Sequence, residues 1–432
     1  MKAFFHTLGC KVNQYETEAM RGLMAAAGFE TGDYTPGDTL CENAVVVINS
    51  CTVTGESDRK LRQLLRRCRR DNPDCILVLT GCMPQAFPAA AEALHEADIV
   101  LGNAARSVLP ERVNQFCTLG QRIVDVSAHK GEIERMSIRG FEGHTRAFVK
   151  IEDGCDRFCS YCIIPYARGR VRSRTPEDIR AELAGLAEKG YTEVVLVGIN
   201  LTAYGKEQGL TLADAVETAC AVPGIRRVRL GSLEPDHMTP ELIRRLAAQE
   251  KLCPQFHLSL QSGCDDTLRR MNRHYTSAEY AAVCAELREA FPHCALTTDV
   301  MVGFAGETEE EFARSLAFVE QIAFARVHVF AYSRRPGTKA AELPGQVSAA
   351  VKAERSRRMS AAAADSAARY HAEWVGQTVE VLAETEHEDG TVDGYTPQYV
   401  PVRIRGGAVS GDIVNVRIDG ADAQGCTGTV EK

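Results

Sequence analysis

Three cysteines, Cys155, Cys159 and Cys162, fall within the run Gly154-Cys155-Asp156-Arg157-Phe158-Cys159-Ser160-Tyr161-Cys162, directly after an apolar stretch that reads as a strand. Three thiolates in so short a turn form a metal-ligand spacing. Structural zinc takes four ligands, and no fourth Cys or His follows at finger spacing. A four-iron cluster held by three thiolates would leave one iron open to bind something else. The alternatives are a zinc knuckle completed by a distant residue and three packed cysteines; the position of the turn at the mouth of a β/α array weighs against both.

A second constellation follows from spacing alone. Thr7-Leu8-Gly9-Cys10, Asn49-Ser50-Cys51 and Thr80-Gly81-Cys82 each put a cysteine one to three residues beyond an apolar run. If those runs are parallel neighbours, their ends share one sheet edge and the three sulfurs can converge on one ion or cluster. The glycines before Cys10 and Cys82 let the backbone turn close to an inorganic core. Buried cysteines of an α/β core are the alternative reading.

The elements that must position these residues are legible as periodicities. Strands are expected at Lys2 to Leu8, Ala44 to Asn49, Cys75 to Thr80 and Asp98 to Leu101, with helices at about 15–27, started near Asn13, and 56–70. This predicts a parallel sheet covered by helices. From Ala147 to Tyr332, six apolar runs begin at Phe148, Val194, Arg227, Phe256, Leu296 and Arg326, separated by helical segments. Six units are fewer than the eight of a closed barrel and predict an open (βα)6 partial TIM barrel. An Ala-rich helix over about 347–375 leads to short β runs punctuated by glycines, a small β-barrel. The fold class is thus α/β, with expected domains at 1–135, 145–372 and 375–432.

The chain has 432 residues, 45% hydrophobic and 25% charged, which suits several cores and excludes a disordered or fibrous protein. Its apolar runs are far shorter than a membrane span, and the first ten residues lack a signal-peptide core. A cytoplasmic location without a membrane partner is therefore expected, where sixteen cysteines are ligands or free thiols rather than disulfides. A formal net charge of -8 argues against indiscriminate coating of nucleic acid. Local basic surface is still present. Arg168, Arg170, Arg172 and Arg174 recur at intervals of two and, if extended, form one phosphate-binding stripe. The Arg59 to Arg70 segment is a second basic candidate, or a solvated face.

The C-x3-C-x2-C spacing after a first barrel strand resembles that of radical S-adenosylmethionine enzymes. Two three-cysteine sites in this order, followed by a barrel and a β module, resemble the methylthiotransferases over nearly the whole chain. The specific marks are Thr7-Leu8-Gly9-Cys10-Lys11-Val12-Asn13-Gln14-Tyr15-Glu16, the Gly154 to Cys162 run continuing through Ile163-Ile164-Pro165, His257-Leu258-Ser259-Leu260-Gln261-Ser262-Gly263, and Tyr332-Ser333-Arg334-Arg335-Pro336-Gly337-Thr338. The opening decamer is similar to the branch that acts on N6-threonylcarbamoyladenosine at tRNA position 37. The alternatives are isopentenyladenosine at that position, a ribosomal protein side chain, or an iron-sulfur protein that docks tRNA or relays electrons without chemistry.

The resemblance implies two [4Fe-4S] clusters and S-adenosylmethionine. Cys155, Cys159 and Cys162 would hold the cluster that yields a 5′-deoxyadenosyl radical, and Cys10, Cys51 and Cys82 the cluster that carries sulfur for adenine C2. It also implies the tRNA anticodon arm as partner, and an electron donor such as flavodoxin or ferredoxin. Asn200, Glu234, Gln261 and Asp299 end strands and are candidates for methionine or ribose groups. Gly303 and Gly306 would let the backbone approach a nucleoside, although Ala305 stands where the family usually has proline. The last module resembles a TRAM domain at Gly394-Tyr395-Thr396. From Gln377 it carries ten acidic residues against four basic, which leaves Arg403 and Arg405 as its expected RNA contacts. His6, His257 and His328 read as satisfied structural groups.

Overall fold

A computed structural model describes residues 1–129, 131–134, 136–141 and 143–431, so the expected domain ends at 135 and 432 lie outside it. The amino-terminal part is a parallel sheet of six strands: Lys2–Thr7, Glu30–Asp33, Val45–Ser50, Ile76–Gly81, Ile99–Leu101 and Ile123–Asp125. Their spatial order is 2-1-3-4-5-6 in chain order. Val45–Ser50 and Ile76–Gly81 are buried at every residue, as central strands between two helical layers must be. Val45 and Val47 pack toward Tyr15, Met20 and Leu109, while Val46 and Ile48 pack toward Leu61 and Leu65 of the Gly55–Asp71 helix. The sequence pattern predicts four strands. The two extra ones are half-buried edges: Glu30–Asp33 has no apolar side chain to announce it, and Ile123–Asp125 is only three residues long.

The central part holds the six expected strands, all pairing in parallel: Arg146–Lys150, Glu193–Val197, Arg227–Leu230, Gln255–Leu258, Ala295–Val302 and Arg326–Ala331. The third breaks at Gly231, whose N–H donates to the Leu196 carbonyl at 2.8 Å, and resumes as Ser232–Leu233 beside the fourth. Among the described residues the first and sixth strands do not pair, so the barrel is open. Helices Pro176–Glu188, Leu212–Cys220, Pro240–Ala247, Ser277–Ala290 and Glu309–Ile322 alternate with the strands, and the Ala349–Ala372 helix lies along the last strand.

Five strands, Thr378–Glu386, Val392–Tyr395, Pro401–Arg405, Ile413–Ala421 and Cys426–Val430, close a small barrel around Val381, Val402, Ile404, Val416 and Ile418. It seats under the starts of the first three central strands. Arg146 meets Glu384 at 2.8 Å, Arg227 meets Glu380 at 2.6 Å, and Arg229 donates to the Pro397 carbonyl at 2.9 Å. Part of the acidic excess of this module therefore pairs with the chain's own arginines.

Candidate active site

The first cysteine trio lies where three adjacent parallel strands end. Cys10 follows Lys2–Thr7, Cys51 follows Val45–Ser50, and Cys82 follows Ile76–Gly81. The helix after Cys10 starts at Lys11 rather than near Tyr15. Cys10 is its N-cap, and the Asn13 side-chain oxygen accepts from the Cys10 N–H at 3.4 Å and thiol at 3.3 Å. The Asn13 amide donates to the Asn49 side chain and the Ser50 carbonyl, both at 3.3 Å, and Ser50 Oγ donates to the Thr80 carbonyl at 2.6 Å. One polar net beneath the sulfurs thus joins all three strand ends. Gly81 is required there: at φ 104° a Cβ would stand 2.3 Å from the Ser50 carbonyl oxygen.

The second trio occupies the loop after the first central strand. Gly154, at φ 98°, passes so close to Arg170 that a Cβ would lie 1.9 Å from its carbonyl oxygen. The loop is pinned on several sides: Cys155 N–H donates to Gly169 O at 2.9 Å, Ser160 N–H to Met271 O at 2.9 Å, and Ala340 N–H to Ser160 O at 2.7 Å. Arg273 donates to Cys159 Sγ at 3.3 Å and to Glu234 at 2.5 Å. Glu234 is thus beside this trio, its carboxyl pushed up by burial against the pull of Arg273.

In each trio burial pushes two of the thiols up. Cys51 reaches about 11, with Cys82 and Cys10 adding to the effect, and Cys162 about 12, with Cys159 adding. Cys10 is raised by burial and by Cys82, and Cys155 by burial and by Cys162 and Cys159. The thiols of each trio therefore share one electrostatic neighbourhood, and a cationic metal centre is what would favour their ionised form.

The expected arginine stripe is corrected by the structure. Arg168, Arg172 and Arg174 are buried, and only Arg170 projects to solvent. Arg168 pairs with Glu16 and, at 3.4 Å, with Asp153; Arg172 lies 3.7 Å from Asp153, and Arg174 pairs with Glu182. Glu16 also meets Arg106 and, at 2.9 Å, Lys150. Burial alone would raise the Glu16 carboxyl, but Arg106, Arg168 and Lys150 outweigh it and hold it at about 2. Short-range alternation in sequence suggested an exposed strand; a short helix, Ile164–Arg168, turns the segment inward instead. The network ties the helix that begins after Cys10 to the residues flanking Cys155 and Cys162. Asn103 adds a second tie, donating to Cys82 Sγ at 3.9 Å and to Ala167 O at 2.9 Å.

The barrel lumen is a cavity of about 680 Å³, entered beside Gly9, Cys10 and Lys11 and lined by His257, Asp299 and His328. His257 Nε2 is 3.5 Å from Asp299, and its Nδ1 is 3.0 Å from Thr297 Oγ1. His257 and His328 line the lumen, and His257 is satisfied there by Thr297 and Asp299, as His6 is by the Tyr34 carbonyl at 2.9 Å. Asn200 and Gln261 stitch strand ends through their backbones: Asn200 N–H donates to Glu152 at 2.8 Å, and Gln261 N–H to Asp299 O at 2.9 Å. Gly303 and Gly306 do not face open space. Lys352 fills the position of a Gly303 Cβ at 2.4 Å, and a Cβ on Gly306 would meet Arg270 Nε at 3.5 Å. Arg403 and Arg405 are exposed but paired within their module, with Asp393 and, at 2.6 Å, Asp419.

Residues 149–319 match the Radical SAM superfamily, and residues 2–102 match the family described as Uncharacterized protein family UPF0004. The chain is 40% identical over 424 residues to the threonylcarbamoyladenosine tRNA methylthiotransferase MtaB of Bacillus subtilis (strain 168), covering 96% of this chain and 93% of that protein. It belongs to the radical S-adenosylmethionine methylthiotransferase family. The MtaB of Thermotoga maritima is 37% identical, with 97% and 94% covered. The tRNA-2-methylthio-N(6)-dimethylallyladenosine synthase of Clostridium novyi (strain NT) is 36% identical, with 99% and 96% covered. A fold likeness extends to the radical S-adenosylmethionine methyltransferase TsrM from Kitasatospora setae, at TM-score 0.57 and 15% identity over 79% of this chain and 77% of that one.

This methylthiotransferase is an enzyme of tRNA modification, and membership carries S-adenosylmethionine and two [4Fe-4S] clusters. Its own residues fit that demand. Among the described residues, the only set of three His, Cys, Asp or Glu donors packed within 4.8 Å of one another is Cys264, Asp266 and Glu311, whose carboxylates are already met by Arg314 and Arg270. Three thiols at each trio, with no fourth cysteine beside them in sequence, match a cluster with one iron left open. No helix of the described residues is long and apolar enough to cross a membrane.

A groove of about 690 Å³ runs over Met83 and Phe87, between the Gly55–Asp71 helix and the Arg334 segment. Arg62 and Arg334 are exposed in it without an ion pair to any described residue, and Arg66 is exposed beside Glu96. Arg335 is buried, bonded to Thr52 and Asp58 at 2.8 Å, and holds the groove wall to the first trio's domain. This is the basic helix face legible in the sequence, with Arg334 as a partner that only the fold brings to it.

Proposed function

We propose that this methylthiotransferase inserts a methylthio group at C2 of N6-threonylcarbamoyladenosine at position 37, in the tRNA anticodon arm. Cys155, Cys159 and Cys162 hold the cluster that engages the methionine end of S-adenosylmethionine, and Cys10, Cys51 and Cys82 hold the second cluster. The observation that carries this reading is the pair of three-thiol sets bound to one another through the Glu16–Arg168 network, with Cys10 opening on the lumen. When bound, these groups supply one-electron cleavage of the sulfonium and the sulfur to be transferred. The chain's own part is placement. Gly154 and Gly81 admit close backbone turns, Arg273 and Glu234 fix the second trio's edge, and Asp299 with His257 presents polar groups to the entering base.

The domains are taken as 1–135, 145–372 and 375–432, the last a TRAM-like module whose Arg403 and Arg405 give it peripheral RNA contacts. A small electron carrier such as flavodoxin or ferredoxin supplies electrons, in the cytoplasm, where tRNA and reduced thiols coexist. The substrate is tested by mass spectrometry of tRNA nucleosides from cells lacking the protein. The methylthio group should vanish from threonylcarbamoyladenosine; its loss from isopentenyladenosine instead would overturn the assignment.

Anticodon-arm phosphates dock in the basic groove. Replacing Arg62 and Arg66 together by glutamate should weaken tRNA binding about tenfold or more near physiological salt and flatten the plot of log affinity against log salt by roughly two phosphates' worth. Unchanged affinity and slope would place the phosphates elsewhere.

A further inference from the structure

We infer that the barrel lumen is a receptor for an anionic substituent on the substrate base, with Lys11 and Arg326 as its two cations. The inference rests on threonylcarbamoyladenosine being the substrate and names how that base is chosen.

Five cations gather around the lumen and its floor: Lys11, Arg146, Arg227, Arg229 and Arg326. Three are matched by carboxylates. Arg146 meets Glu384 at 2.8 Å, Arg227 meets Glu380 at 2.6 Å, and Arg229 meets Glu193 at 3.1 Å. Lys11 and Arg326 both line the cavity, and neither side chain forms a hydrogen bond or ion pair with any described residue. Lys11 instead rests between the rings of Phe148 at 5.8 Å and Tyr399 at 5.9 Å. The one carboxylate in the lining, Asp299, faces His257 at 3.5 Å. A half-open cleft with two unmatched cations is complementary to an anion, because its low-dielectric walls focus their field on whatever enters. Its volume is that of a small-molecule site.

Position gives this charge a purpose. Lys11 directly follows Cys10, so an anion held by Lys11 is anchored beside the first trio. The threonylcarbamoyl group carries a carboxylate and a hydroxyl, whereas an isopentenyl group carries neither. A base of the second kind would enter the cavity and leave both cations unmatched, which disfavours it more strongly than poor packing would. The two cations come from different domains, so the receptor exists only when the amino-terminal part is docked on the barrel.

The test uses cluster-loaded enzyme without reductant, so that binding is read apart from turnover. Three anticodon hairpins are compared by fluorescence anisotropy, bearing at position 37 threonylcarbamoyladenosine, its uncharged threoninamide counterpart, or isopentenyladenosine. Wild type should bind the carboxylate hairpin about 10- to 100-fold more tightly than the amide, a span set by the loss of one charged hydrogen bond. Lys11→Met and Arg326→Gln should each cut that ratio, and the double variant should bring it near one. Iron content is measured on each, since Lys11 adjoins a cysteine ligand, and Arg326→Gln gives a second reading from a residue on the sixth central strand that neighbours no cysteine of either trio in sequence. A ratio near one in wild type, or one that both variants leave intact, overturns the receptor. If wild type then methylthiolates only the isopentenyl hairpin once reductant is added, the substrate reading falls as well; if it methylthiolates the threonylcarbamoyl hairpin, that reading stands and the receptor alone is lost.

Discussion

Cys159→Ala is expected to abolish formation of 5′-deoxyadenosine from S-adenosylmethionine in reconstituted, reduced enzyme, and with it all methylthiolation. Cys159 is the most buried residue of its trio, and the neutral methyl of alanine offers no ligand in its place. Iron and labile sulfide should fall to about half, because the first trio is held by a separate set of strand ends and keeps its own cluster. Arg273→Gln serves as the graded companion. It removes the donor 3.3 Å from Cys159 Sγ and the partner of Glu234 while leaving all three thiols. Loss of a residue that orients a ligand costs about 10- to 100-fold, so cleavage should drop but persist. A Cys159→Ala protein that still cleaves the cofactor at the wild-type rate would remove the assignment of this trio to radical chemistry.

The two trios were legible from sequence because thiols at apolar strand ends can be counted along one dimension, and parallel order does the rest. Cys10, Cys51 and Cys82 stand 31 to 72 positions apart, yet all three fall at the carboxyl ends of neighbouring strands. The six central units were legible for the same reason, since each strand is a near-continuous apolar run. Edge strands such as Glu30–Asp33 were not, because half of their surface meets water and the apolar signal vanishes.

Charge was read least well. Arg168 to Arg174 looked like a solvent-facing stripe, but Glu16, the partner of Arg168, comes from the amino-terminal domain, and Glu182, the partner of Arg174, from the helix that follows it, which folds back over the segment. A buried arginine without a counter-ion would be ruinous, so the network is fixed only when both domains are present. The same holds for Lys11 and Arg326, whose lack of partners is visible only after every neighbouring carboxylate has been assigned. The lumen position of His257 and His328 was not legible because alternation along a strand tells which residues share a face, not whether that face is packed or opens on a lumen.

Cys51→Ala should give the converse result: S-adenosylmethionine cleavage close to wild type and no methylthio product. Cys51 is the cleanest of the first trio to remove. Cys10 caps a helix and is bonded to Asn13, and Cys82 opens a helix that packs against Ile164–Arg168, so either loss would disturb structure as well as ligation. Cys51 accepts only the Val53 N–H, at 3.5 Å, and its truncation leaves the Asn13–Asn49–Ser50 net intact. The melting temperature of the metal-free protein should therefore move little. The radical loop depends on Gly169, Met271 and Ala340 rather than on Cys51, which is why cleavage should survive. Full methylthiolation by Cys51→Ala would refute the sulfur-side role of the first trio. Loss of cleavage with an unchanged melting temperature would show instead that the two centres act as one unit, and the Glu16–Arg168 network would be the physical path between them.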